Sequence, residues 1–223
     1  MATTKKAAPE VTPEGLNITK EQYGALQSAF DYYNKELFQG ELPRIMLTFS
    51  RRSQAVGFFA PCQWHTEDNT VNTHEISMNP DYMKERTFKQ FYSTLVHEMC
   101  HLWQEVGGEP PRRCYHNKQF ADKMEACGLM TSNTGAAGGK RTGQNMTHYV
   151  IEGGKYEKAF EVMPHECLIP FIADGLISNK KVKKSTRTTT IKYVCPVCGA
   201  SLKGKGGLNV KCADCDEFML ETN

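Results

Sequence analysis

The sequence predicts an α+β fold that ends in a small cysteine-held module. Three observations carry this. Apolar residues at 3- and 4-residue steps mark long helices on either side of a run of short alternating segments. A His-Glu-x-x-His pentapeptide, His97-Glu98-Met99-Cys100-His101, sits inside the second helical pattern. Two Cys-x-x-Cys pairs, Cys195/Cys198 and Cys212/Cys215, lie near the C-terminus.

The elements follow in chain order. Residues 1–17 are rich in Ala, Thr, Lys and Pro and lack an apolar h-region, so a disordered tail is expected, not a signal peptide. Thr19-Lys20-Glu21-Gln22 has the form of a capping box. Tyr23, Leu26, Phe30, Tyr33 and Leu37 then give a helical stripe, with Gly40 as its stop. Ile45, Leu47 and Phe49 alternate as a strand, and Val56–Ala60 and Val71–Met78 give two more. Glu67-Asp68-Asn69 is the polar turn between those two, and Asn79-Pro80-Asp81 breaks the chain after them. The strand at His74–Met78 is expected to lie along a cleft. No segment approaches 18 uninterrupted apolar residues, so no membrane span is expected.

Phe88, Phe91, Leu95, Met99, Leu102 and Val106 define the next helix. At 100° per residue they fall within about 40° of Leu95, while His97, His101 and Glu98 fall at about 200°, 240° and 300°. One stripe is therefore expected in a core and the other in a cleft. Gly107–Pro111 ends this helix, and Phe120, Met124 and Cys127 mark a second amphipathic segment opened by His116. Thr131–Gly143 reads as a long loop that lines the cleft. A short strand at His148–Ile151 and a helix at Tyr156–Met163, stopped by Pro164, complete the domain.

Two histidines four apart on a helix present both imidazoles to one metal ion, and the glutamate between them is placed to take a proton from a metal-bound water. This is the pattern of a zinc hydrolase, most often a peptidase. Such a zinc takes three protein ligands. His116 is the favoured third, with Glu109 and Glu125 as alternatives. The metzincin pattern is excluded, because Gln104 and Gly107 stand where it needs Gly and His. His148 and Tyr149 are candidate transition-state stabilisers. His74 reads as a polar strand residue, and His165-Glu166 as structural or surface.

The cysteine pairs suit turns that present four thiolates to a tetrahedral zinc, which predicts a structural zinc ribbon at Cys195, Cys198, Cys212 and Cys215. Its hairpin tip is expected at Lys203–Gly207, with Ile191, Tyr193, Leu208 and Val210 in the flanking strands. Redox chemistry is the weaker reading. Cys62, Cys100, Cys114, Cys127 and Cys167 read as packed or surface thiols. Nine cysteines, four of them clustered, favour metal over disulfides and a reducing cytoplasmic setting. Residues 176–211 hold nine basic side chains and no acid, against 18 basic and 25 acidic elsewhere. Lys180, Lys181, Lys183, Lys184, Arg187, Lys192, Lys203 and Lys205 are therefore candidate phosphate contacts to nucleic acid. The bland alternative is a soluble linker. The divisions expected are a tail at 1–17, a main domain at 18–178, a basic linker at 179–190 and the ribbon at 191–223.

The chain resembles the SprT-like metalloproteases. The resemblance rests on Tyr32–Phe38 leading into Leu42-Pro43, on Ile76–Pro80, on Thr94–Trp103 around the pentapeptide, on Tyr115–Phe120, and on the ribbon, in that order. It covers about residues 20–220. It implies a zincin-like domain, a catalytic zinc on His97, His101 and His116, Glu98 as acid/base, and substrate added along a strand edge. It also implies a DNA-linked role, since eukaryotic relatives cleave proteins crosslinked to DNA. The chain lacks those relatives' long C-terminal extensions, so their regulatory partners are not expected, and the compact form looks bacterial, phage or plasmid-borne. The expectation is a monomeric, cytoplasmic protein, nucleoid-associated if bacterial, that carries two Zn2+ ions and acts on protein substrates without a membrane. The rival expectation is a non-proteolytic nucleic-acid-associated regulator with a structural metal site.

Overall fold

Asn17 opens the first helix, α1 (Ile18–Phe38), by accepting the Lys20 backbone N–H at 3.2 Å. The capping box expected at Thr19–Gln22 is thus replaced by a single side-chain cap two residues earlier, because Asn is at least as good a cap as Thr and stands first. The helix ends as expected at Gly40 (φ +76°), preceded by Gln39 in the left-handed region. The structure is a computed structural model and describes residues 15–52, 55–112, 114–174 and 191–222. The tail before residue 15 and the basic stretch with Lys180, Lys181, Lys183, Lys184 and Arg187 lie outside the described residues.

Three strands follow: β1 (Met46–Phe49), β2 (Gly57–His65) and β3 (Asn72–Met78). Their order is β1-β3-β2, with β3 parallel to β1 and antiparallel to β2. The β2–β3 turn is tied by Asp68, which accepts from the Thr66 and Thr70 hydroxyls and the Thr70 N–H. This topology corrects one expectation. β3 is the central strand, with Ile76 and Met78 fully buried, so the strand on the cleft side is its neighbour β2. Alternation alone does not tell a central strand from an edge, because both bury one face.

Helix α2 (Phe88–Gly107) starts with a full capping box between Thr87 and Gln90. It is buried on nearly every side from Phe91 to Cys100, and packs against β2, β3, the third helix α3 (Lys118–Ala126) and the later helix α4 (Lys155–Glu161). The expected two-sided helix is thus buried through its middle, and Val106, assigned by its spacing to the core stripe, is exposed at the helix end. β2 passes close to α2 at Gly57, where an added Cβ would stand 3.0 Å from Thr94 Cγ2 and 3.4 Å from Glu98 Cγ. β4 (Leu129–Ser132) and β5 (Thr147–Val150) pair antiparallel around the Gly-rich loop. The sequence pattern does not reveal β4, because its four residues merge with the polar run that follows.

Tyr33, Tyr92 and Tyr156 meet in the core of this unit, with Tyr33 stacked on Tyr156 at 5.6 Å. Leu26, Phe30, Phe38, Leu95, Met99, Leu102 and Met124 fill it. A second unit holds the cysteine pairs. There β6 (Ile191–Val194) pairs antiparallel with β7 (Ser201–Gly204) on one side and β10 (Leu220–Thr222) on the other, and β8 (Lys211–Cys212) pairs with β9 (Glu217–Phe218). The flanking strands expected at Leu208 and Val210 are replaced by Ser201–Gly204 and Leu220–Thr222. Buried Tyr193 anchors the unit, its hydroxyl accepting the Leu208 N–H and lying 2.7 Å from the Glu221 carboxylate.

Candidate metal centre

Helix geometry sets His97 and His101 one turn apart on α2, with ring centroids 5.1 Å apart. His116 reaches them from the turn just before α3. Asn117 caps α3 by accepting the Phe120 N–H at 3.0 Å, which fixes the residue before it. The buried Gln104 amide ties the end of α2 to this turn, donating to Asn117 Oδ1 at 2.9 Å and Gln119 Oε1 at 2.8 Å. His116 also exchanges backbone hydrogen bonds with Gly143 at 2.8 and 3.0 Å. The Gly-rich loop therefore reaches the site through its backbone.

The three imidazoles converge through their outermost nitrogens. His116 Nε2 lies 3.2 Å from His101 Nε2 and 3.3 Å from His97 Nε2. A tetrahedral zinc at its usual distance from nitrogen separates its ligand atoms by about 3.3–3.4 Å. The donor set thus fits such an ion. Phe120, fully buried on α3, packs all three rings, with centroids 5.1, 4.2 and 4.8 Å from His97, His101 and His116. The sequence marks Phe120 only as core, since periodicity carries no sign of what an apolar ring touches.

Burial leaves all three imidazoles neutral. It pushes His97 well below the ordinary histidine value and His101 down to about 3, helped by the neighbouring histidines, and it lowers His116 despite the Gly143 carbonyl. Neutral imidazoles are the form that binds metal. Glu98 is also buried, and burial raises its carboxyl to about 8 against the pull of a hydrogen bond from the Phe59 backbone. A divalent cation beside it acts the other way, favouring the carboxylate.

Other candidates are placed elsewhere. Glu109 is exposed, and Glu125 is paired with Arg141 at 2.6 Å. His74 accepts the Cys62 N–H at 3.3 Å within the sheet, and His165 is exposed. His148 does not face the open side of the cluster. It stands behind His97, with Nδ1 3.2 Å from His97 Nδ1 and Nε2 2.9 Å from Ser93 Oγ, and burial with the nearby Arg86 charge lowers it to about 4. Nothing in the sequence singles out Ser93, which reads there as one polar position among many. Tyr149, on β5 beside His148, is half-buried.

In the second unit the four cysteine sulfurs lie within 4.8 Å of one another. Cys198 Sγ and Cys212 Sγ are 3.7 Å apart. A tetrahedral zinc–thiolate site has an edge of about 3.8 Å, so this set also fits zinc. The backbone N–H groups of Cys198 and Val197 pull the Cys195 thiol down to about 7, towards the thiolate a metal needs. Lys192, Lys203 and Lys205 are all exposed, and Lys192 stands directly across from Lys203 between β6 and β7. Among the five other cysteines, Cys100, Cys127 and Cys167 are buried while Cys62 and Cys114 are exposed.

A profile described as the SprT-like family matches residues 26–149, which span α1 through β5 and include the three histidines and Glu98. The chain is also 40% identical over 40 residues to a Salmonella typhimurium protein described as an uncharacterized protein in the mucB 3' region. That match covers 18% of this chain and 54% of the relative, so the chain spans about half of that relative's length. No helix among the described residues is long and apolar enough to cross a membrane.

Proposed function

Since the chain belongs to the SprT-like family, whose members are metalloprotease-type proteins, we propose that it is a zinc-dependent endopeptidase with a zincin-like catalytic domain, acting on proteins bound or crosslinked to DNA. The observation that carries this reading is the triangle of Nε2 atoms at His97, His101 and His116, with the Glu98 carboxyl one helical step away. A purely structural metal site needs no buried base beside it, which favours the hydrolytic reading over a regulator with a vestigial site. When bound, zinc supplies Lewis acidity at the scissile carbonyl and lowers the pKa of an attacking water.

The chain's own residues do the rest. Glu98 takes the proton from the attacking water and returns it to the leaving amine. Its burial strengthens that role, since a base in a water-poor site is tuned towards neutral pH. The Phe59 N–H holds the carboxylate in place from β2. Among the described residues no strand pairs with the outer edge of β2, and an extended substrate adds there through main-chain hydrogen bonds. Main-chain hydrogen bonds select little for sequence, so selection by location supplements them. Lys192 and Lys203, like charges set directly opposite each other, repel unless an anion lies between them. With Lys205 and the basic stretch before β6, they bring the protein to DNA phosphates.

The test is a cleavage assay on a DNA-bound protein, with and without single- and double-stranded DNA. Wild type is expected to cut, to cut faster with DNA, and to hold about two zinc ions per chain, one for each site. Glu98→Gln is expected to keep its zinc and lose cleavage. Undiminished cleavage by Glu98→Gln would remove the mechanism.

A further inference from the structure

The outer nitrogens of His116 and His97 are held in different ways. His116 Nδ1 lies 3.3 Å from the Gly143 carbonyl. His97 Nδ1 meets His148 Nδ1 at 3.2 Å, His148 Nε2 meets Ser93 Oγ at 2.9 Å, and Ser93 Oγ meets the Gln90 carbonyl at 2.9 Å. The short Ser93–Gln90 contact at the far end points this chain of hydrogen bonds in one direction. The Gln90 carbonyl only accepts, and Ser93 donates its single proton to it. Ser93 Oγ can then only accept from His148, which puts the His148 proton on Nε2 and leaves its Nδ1 bare. A bare Nδ1 meets His97 only as an acceptor. His97 therefore carries its proton on Nδ1, and its Nε2 lone pair faces His101 and His116.

We propose that His148, locked by Ser93, is the positioning residue of the metal site, holding His97 in the one tautomer that leaves Nε2 free to bind zinc. This rests on the three-histidine site proposed above. Metal-bound histidines commonly give their outer N–H to a carboxylate or a backbone carbonyl. Here His116 uses the carbonyl and His97 uses a neutral imidazole. Neither contact adds negative charge, so among the residues described at the site Glu98 supplies a carboxylate to answer the cation. The arrangement also links β5 to α2, because His148 comes from the strand and both Ser93 and His97 from the helix. Ser93 and His97 are four apart, so one ring from outside the helix spans one helical turn.

The experiment uses the full chain and needs no activity readout. Zinc release to a competing chelator is measured for wild type, His101→Ala, His148→Leu, His148→Asn and Ser93→Ala. The His101→Ala curve identifies which phase belongs to the histidine site. If that variant releases zinc as wild type does, the three-histidine reading itself fails. With that reading secure, His148→Leu is expected to weaken the histidine site by about 10–100-fold. His148→Asn restores an acceptor near the Nδ1 position and is expected to recover most of the loss, which a merely structural role would not predict. Ser93→Ala removes the lock while leaving the rings, and nitrogen NMR of the metal-free protein is expected to show His97 protonated on Nδ1 in wild type and a mixture of tautomers in this variant. If His148→Leu does not fold, the Ser93→Ala spectrum decides. Wild-type affinity in His148→Leu, no rescue by His148→Asn, or His97 protonated on Nε2 in wild type would each overturn the proposal.

Discussion

Four buried or half-buried histidines and one buried glutamate pull the acid stability of this protein in opposite directions. In the metal-free protein, burial lowers His101 to about 3 and His148 to about 4, and it lowers His97 and His116 as well. The unfolded chain protonates its histidines near the ordinary value of about 6.5. Between these values the unfolded state binds more protons, so stability falls as pH drops from about 6.5 towards 4. Glu98, raised to about 8, works the other way, since the folded state holds its proton between about 4.5 and 8. One carboxyl stands against four imidazoles, so a net loss is expected on acidification from pH 7 to 5. Denaturant melts of the chelated protein, followed by Trp64 and Trp103 fluorescence, would show a lower midpoint at pH 5; an equal or higher one would refute the balance. A zinc ion at this site would sharpen the same trend, because protons compete for its ligands.

At the scale of elements, the site depends on how the end of α2 is fastened to the start of α3. Gln104 is almost fully buried, and its amide donates to Asn117 and Gln119 at once. Asn117 in turn caps α3 and follows His116 directly. Gln104→Leu removes both donations, while each acceptor keeps one backbone N–H donor; the two lost hydrogen bonds cost about 1–3 kcal/mol together. The expected result is a lower melting temperature together with weaker zinc binding at the histidine site, since His116 loses its tether. A variant that lost stability but kept wild-type zinc affinity would show that the Gly143 backbone bonds alone hold His116. The same scale explains why β3 is central and not the cleft strand that its pattern suggests. Strand patterns report which residues are buried, but pairing order is set by which edges meet, and β1 lies beside β3 only through a parallel crossover.

At the scale of the molecule, charge is spread unevenly along the chain. The residues from 176 to 211 carry nine positive side chains and no acid, while the remainder is net acidic. Binding to DNA is expected to weaken steeply with salt, because each neutralised phosphate releases counterions. Replacing Lys192 and Lys203 together by glutamate should lower DNA affinity and flatten the salt slope, while cleavage of a free peptide stays unchanged. Equal salt slopes in variant and wild type would exclude this face as the contact. The four-cysteine site belongs to this scale as well. The second unit is small, so a metal ion held by its thiolates would contribute a large share of its folding free energy.

Much of the chemistry is legible in the sequence, and each legible part has a local cause. The spacing of His97, Glu98 and His101 is a property of one helix, and the paired Cys-x-x-Cys turns are properties of two short loops. His116 is reachable too, because a histidine before an amphipathic segment, at loop distance from two others, is a rare coincidence. The tertiary structure decided what long-range packing alone can set. It placed Phe120 against three imidazoles, put β2 rather than β3 beside Glu98, and moved His148 from the open side of the cluster to the back of His97. No sequence period carries that information, because His148 stands 51 residues from His97 and its place follows from the pairing of β5 with β4, which packs against α3. The sequence by itself determined which atoms could bind metal. The fold determined which nitrogen of His97 is free to do so, since a tautomer is fixed by the hydrogen-bond partner on the far side of the ring, and that partner arrives only when the chain has folded.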